Sequence, residues 1–184
     1  MRPRRRADAT RAWVHDLVRS GLRTEPELRS QVVEAISADL RTADPEALAE
    51  TWIAEARAAW RQDAAGWPLV TDHDCLQTAF GTLEGDGIAV LQACADHWSA
   101  RDELVRRSPA PRGVVWFTEP DVWHAVGEGM LEVNLWHPDT ANAAPGDPLL
   151  TEALGHFAAA GLRAHFDEGR IEVAARWQVR PPVD

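Results

Sequence analysis

Asp72-His73-Asp74-Cys75 is the densest run of potential ligands and proton carriers in the chain. Two carboxylates, an imidazole and a thiol are the groups that bind metals and move protons. Cys94-Ala95-Asp96-His97 has the C-x-x-H spacing that puts two zinc ligands on one turn. A site there needs at least one further ligand, which His73, Cys75, Asp121 or His124 would have to bring through folding. Each run also has a structural reading. Thr71 or Asp72 can cap a helix whose first-turn acids meet the positive end of the helix dipole. His73 then turns outward, while Leu76 and Phe80 turn inward. Thr118 and Asp121 make the same capping-box pattern. Cys94 becomes a small core residue, and His97 a helix-start or surface residue. Trp116, Trp123, Trp136 and Trp177, with Phe117 and Phe166, are more aromatics than a small sheet usually buries. They can line a ligand pocket or partner surface, or serve as large core residues in a chain without tyrosine. The candidate binding residues are therefore Asp72, His73, Asp74, Trp116, Asp121 and Trp123. The candidate metal ligands are Cys94 and His97, with zinc the metal that would suit them; otherwise no cofactor is expected.

Composition closes off other chemistries. The 184 residues include no lysine, so all 19 basic side chains are arginine. A P-loop lysine, a Schiff-base lysine and a kinase-type lysine are excluded. None of the five serines lies in G-x-S-x-G, and neither G-x-G-x-x-G nor H-E-x-x-H occurs. Two cysteines are too few for a disulfide scaffold or a four-cysteine zinc site. Paired carboxylates stay open, because acids abound without marking a pocket.

The elements that would position these residues fall into two parts. Residues 9–66 predict a helical leader of three helices. Trp13 and Leu17, and Val14 and Val18, lie at i,i+4 spacing before Gly21. Thr24 and Glu27 form a capping box ahead of the stripe Leu28, Val32, Ile36, Leu40. Asp44-Pro45 starts a third helix carrying Leu48, Trp52, Ala56 and Trp60. After Trp67-Pro68 the pattern changes. Residues 67–178 predict an α+β domain, a two-layer α/β sandwich. Its five-stranded sheet is antiparallel or mixed, with the long helices on one face. Its strands are read at 88–91, 114–117, 130–136, 162–166 and 170–175. A helix over 96–107 is expected to turn Trp98 and Val105 inward. Asp167-Glu168-Gly169 reads as a tight hairpin turn. Residues 1–8 are expected to be a disordered basic arm, and 179–184 a tail.

Charge follows the same division. Residues 1–66 hold 11 arginines and 11 acids, whereas 67–184 hold 8 arginines and 18 acids and carry the whole net charge of −10. So acidic a surface repels phosphate backbones, which argues against nucleic-acid binding by the second part. The arm with Arg2, Arg4, Arg5 and Arg6 could touch nucleic acid, an acidic lipid or an acidic partner. No apolar run is long enough for a membrane span, and no apolar segment follows the first arginines. A cytoplasmic protein is the expectation.

The string Trp67-Pro68-Leu69-Val70-Thr71-Asp72-His73-Asp74, followed by Leu76, Ala79-Phe80, Leu83 and Gly87-Ile88, carries a resemblance. It is similar to an uncharacterised actinobacterial family of domains of unknown function with the signature W-P-x-V-T-D-x-D-x-L-x-x-A-F. The similarity continues through Val115-Trp116-Phe117 and Asp121. It returns at Gly161-Leu162 and at Arg170-Ile171-Glu172-Val173 with Trp177 and Arg180. It spans about residues 55–180, which makes the helical part look like a variable leader. The family has no assigned activity, so the resemblance implies a bacterial, cytoplasmic setting and transfers no mechanism. Its members tend to carry a Cys-Cys-x-x-Cys-Gly cluster and a His-x-x-Asp-x-Glu run. Here these are reduced to Cys94-Ala95-Asp96-His97 and to Thr118, Asp121 and Trp123.

Two readings of function follow. The first is a non-enzymatic protein-binding or regulatory module with an acidic surface, with homodimerisation open. The second is a metal-binding or redox enzyme domain with an eroded Cys/His site.

Overall fold

The structure is a computed structural model that describes residues 3–182. Contacts divide the chain into two compact units, residues 1–68 with 179–184, and residues 69–178.

The first unit is built on three helices, α1 (Pro3–Ser20), α2 (Glu25–Asp39) and α3 (Pro45–Ala64). α1 begins inside the stretch expected to be a disordered arm, so Arg5 and Arg6 are helical; Met1 and Arg2 lie outside the described residues. The expected stripes meet in one core, with Val14 and Leu17 from α1, Val32 and Ile36 from α2, and Ala56 and Trp60 from α3. Thr24 and Asp44 cap α2 and α3. Glu27 Oε2 accepts the Thr24 backbone N–H at 2.9 Å, and Asp44 Oδ1 accepts the Ala47 N–H at 2.9 Å. Residues 179–182, read as a tail, return to this unit. The Trp60 indole N–H donates to the Val179 carbonyl at 2.9 Å, and Arg180 donates to the Pro68 carbonyl at 2.6 Å. Gly21 has φ +65°, and a Cβ there would come within 3.2 Å of Val179 Cγ1. The left-handed turn favours glycine, and a side chain there would also crowd Val179.

The second unit runs α4 (Asp72–Gly85), β1 (Ile88–Cys94), α5 (His97–Arg106), β2 (Gly113–Thr118), α6 (Glu119–Gly127), β3 (Leu131–Trp136), α7 (Pro148–Ala159), β4 (Arg163–Asp167) and β5 (Arg170–Ala174). This is an α+β fold on one mixed five-stranded sheet, in the order β1-β2-β3-β5-β4. Only β1 and β2 pair in parallel, because α5 returns the chain between them; the other pairs are antiparallel. The β4–β5 hairpin turns at Glu168 and Gly169, with φ +41° and +93°. Two positive φ values in a two-residue loop match the right-handed twist of the flanking strands.

The alternation of the strands sorts two faces. Phe117 stacks on Phe80 of α4 with ring centroids 5.7 Å apart, and Phe80 meets Phe157 of α7 edge-on at 6.2 Å. α4 and α7 thus share a face, as expected for the long helices. Ala89, Leu91, Val114 and Trp116 point the other way and pack with Ala100 and Leu104 of α5. The β1–β2 end of the sheet is therefore covered on its second face by the short helix α5. The inward pair on α5 is Ala100 and Leu104, while Trp98 and Val105 are exposed by 57% and 74%. Their expected inward orientation is corrected. An i,i+4 pair of modest side chains fits flat against the sheet, and the larger apolar residues occupy the opposite side of the helix.

Candidate functional site

The residues singled out from the sequence are placed by helix starts and strand ends. At α4, Asp74 Oδ2 accepts the Thr71 backbone N–H at 2.8 Å and the Thr71 hydroxyl at 3.0 Å, and Thr71 Oγ1 accepts the Asp74 N–H at 3.3 Å. Asp72 Oδ2 accepts the Arg176 backbone N–H at 3.0 Å. At α6, Asp121 Oδ2 accepts the Thr118 N–H at 2.7 Å and its hydroxyl at 2.6 Å. Asp74 and Asp121 thus hold helix starts, a use their spacing also allowed, while Asp72 bonds the backbone of a segment 104 residues away.

His73 departs from its expected outward position. Its ring meets Trp177 edge-on at 4.8 Å, and Trp177 in turn packs against Phe117. Gln77 Nε2 lies 3.2 Å from His73 Nε2. Burial pulls the imidazole below its ordinary value of 6.5, opposed by the Asp74 charge. Trp116 is 6% exposed and packs on Trp136 with ring centroids 4.6 Å apart. The indole nitrogens of Trp116 and Trp123 are shut off from solvent and make no hydrogen bond, and the Trp123 side chain is half-buried. Trp116 and Trp177 are core residues, whereas Trp123 and Trp136 are half-buried.

Cys94 follows an irregularity in β1. The pairing of β1 with β2 slips by one residue between Leu91 and Cys94, and Ala93 takes φ +52°. The half-buried thiol sits 3.7 Å from the Leu91 carbonyl, and burial pushes it above its ordinary value. That disfavours the thiolate, the form that binds metal. His97 is exposed at the first position of α5, with its ring 4.5 Å from the Trp98 ring. Asp96 caps that helix through the Ser99 N–H at 2.7 Å.

Among the described residues one group of three ligating side chains converges, and it contains neither Cys94 nor His97. It consists of Asp86, in the turn between α4 and β1, with Glu152 and His156 one turn apart on α7. His156 Nε2 lies 3.0 Å from Asp86 Oδ2. Arg112, just before β2, binds both Glu152 oxygens at 2.8 Å and the Asp86 carbonyl at 2.9 Å. That fork holds the Glu152 carboxyl below its ordinary range, with the Arg112 hydrogen bond as the chief cause. Gly87 and Arg112 also line an open cleft of about 290 Å³ with Glu84, Arg107 and Pro109. The Glu-x-x-x-His spacing in α7 was a sequence signal for two ligands on one helix face. Asp86 and Arg112 lie 66 and 40 residues away from Glu152, and only the fold brings them in.

The other unabsorbed feature is the outward side of α5. Trp98 and Val105 lie two turns apart, with the Arg101 guanidinium 5.9 Å from the Trp98 ring centroid. No helix among the described residues is long and apolar enough to cross a membrane.

These features define the class: an acidic α+β protein with a helical unit and, among the described residues, an exposed aromatic helix face and a cluster of His and carboxylates. The chain belongs to the family described as Domain of unknown function (DUF6891), whose profile matches residues 4–181. The match takes in the three N-terminal helices, so they are part of the family's domain rather than a leader outside it. No curated protein and no solved structure matches the chain.

Proposed function

We propose that the protein is a non-enzymatic binding module that engages a basic protein partner through the outward face of α5. The observation that carries this is the exposure of Trp98 and Val105, at 57% and 74%, on a well-capped helix whose other side is buried. A large aromatic held in the open on a rigid element is the kind of anchor that dominates binding energy at interfaces. Arg101 beside the ring adds a polar rim. The partner's charge follows from the unit that bears the helix. Residues 69–178 hold 7 arginines and 17 acids, net −10, a field that attracts a basic surface and repels a second acidic copy.

The test places a photo-crosslinking amino acid at position 98 in the full chain expressed in its native cell, with position 174 as an exposed control. The expected result is a discrete product specific to position 98 whose second component is a basic protein. Binding of that protein should weaken at least tenfold between about 0.05 and 0.5 M salt as the Debye length shortens, and be lost in Trp98→Ala/Val105→Ala. Products identical at positions 98 and 174, or made only of this chain, would overturn the reading.

A further inference from the structure

Asp86, Glu152 and His156 present two carboxylate oxygens and a ring nitrogen that all lie within 4.8 Å of one another. We infer that they bind one divalent transition-metal ion of the zinc class. The donor set selects that class. Imidazole with carboxylates suits zinc, manganese or iron, whereas calcium and magnesium take oxygen ligands.

The state of His156 points to a ligand. Its Nε2 is closed off from solvent and makes no hydrogen bond, although Asp86 Oδ2 is only 3.0 Å away. An imidazole and a carboxylate that served only each other would align donor and lone pair. Two ligands of one metal instead sit about 3 Å apart with lone pairs aimed at a third point, since each metal bond is about 2.1 Å long. Glu152 also has the outer support that metal ligands receive, because Arg112 grips both of its oxygens and anchors itself on the Asp86 carbonyl. Each carboxylate oxygen keeps a second lone pair for a metal. Arg112 brings one positive charge against two negative ones, so the cluster remains attractive to a cation. The Asp86 side chain is 54% exposed, which leaves the ion a way in and positions for water.

The competing account makes the four residues a structural clamp of two ion pairs between α7 and the 85–87 turn. Full-length, untagged protein, stripped with chelator and dialysed, separates the two. It is titrated with Co²⁺ followed by visible absorption, and with Zn²⁺ by calorimetry. One saturable site per chain is expected, with zinc raising the Tm of the wild type by mass action. Asp86→Asn, an exposed and nearly isosteric change, and His156→Gln should each weaken binding at least tenfold while far-UV circular dichroism stays unchanged. Cys94→Ala and His97→Ala should bind as the wild type does. No saturable binding up to about 1 mM metal, or binding unaltered by Asp86→Asn and His156→Gln, would overturn the inference.

Discussion

The two units use the same residue types differently. The helical unit holds 12 arginines and 12 acids, and several of its acids are spent on arginines of neighbouring helices. Arg11 meets Glu55 at 2.6 Å, Arg19 meets Asp63 at 3.0 Å, and Arg29 meets Glu50 at 2.6 Å. The α+β unit pairs Arg112 with Glu152 and Arg170 with Glu132 in the same way, but it also commits four aspartates to helix starts, against Glu27 and Asp44 in the helical unit. Asp74, Asp96, Asp121 and Asp147 each hold the start of a helix. Four of the 17 acids in residues 69–178 are used in this way, against only seven arginines, so capping contributes part of the net negative charge. Those four carboxylates supply both stabilising hydrogen bonds and part of the charge that could attract a partner.

That contrast can be broken in several ways. The largest effect tests the cores rather than the charges. Phe80→Ala removes a ring that joins α4 to β2 and α7, and should cost about 3–5 kcal/mol in chemical denaturation. Trp60→Phe in the helical unit should cost less, about 1–2 kcal/mol, because it keeps a ring in the core and loses the hydrogen bond to Val179 and part of the indole's packing. Next come the caps. Thr71→Ala and Asp121→Ala should each cost roughly 1 kcal/mol, whereas Glu55→Ala should cost under about 0.5 kcal/mol, since exposed pairs are weak. Equal losses from caps and surface pairs would erase the distinction drawn above.

His73 gives a pH test. Burial lowers its folded value below 6.5, so the unfolded chain binds the proton first as pH falls. The stability it contributes is complete above about pH 6.5, and is lost as pH drops toward the lowered folded value. Urea melts between pH 7.5 and 5 should show this decline, and His73→Gln should flatten it. The smallest expected effect is on stability in Trp98→Ala, within about 0.5 kcal/mol because the side chain is exposed. A large loss there would mean that Trp98 is a packing residue and not an anchor.

Much of this architecture is legible in the chain. The stripe Leu28, Val32, Ile36 has one helical period, and those residues are buried together. Thr71 with Asp74, and Thr118 with Asp121, announced two helix starts that the hydrogen bonds realise. Glu168-Gly169 marked the hairpin. The orientation of α5 was not legible, because Ala100 and Leu104 make no stronger stripe than Trp98 and Val105 until a sheet lies against one side. The outward setting assumed for His73 failed for the same reason. Trp177, which covers it, is 104 residues away.

Local patterning determined which segments are helix, strand and turn, where the charge lies, and which chemistries lack their residues. Those properties depend on neighbours within one or two turns, and a linear sequence states them directly. Tertiary structure decided the partners of His73, the buried side of α5, and the meeting of Asp86, Arg112, Glu152 and His156. Each of these is a contact between segments distant in the chain, fixed by how the sheet orders its strands and on which face each helix comes to rest.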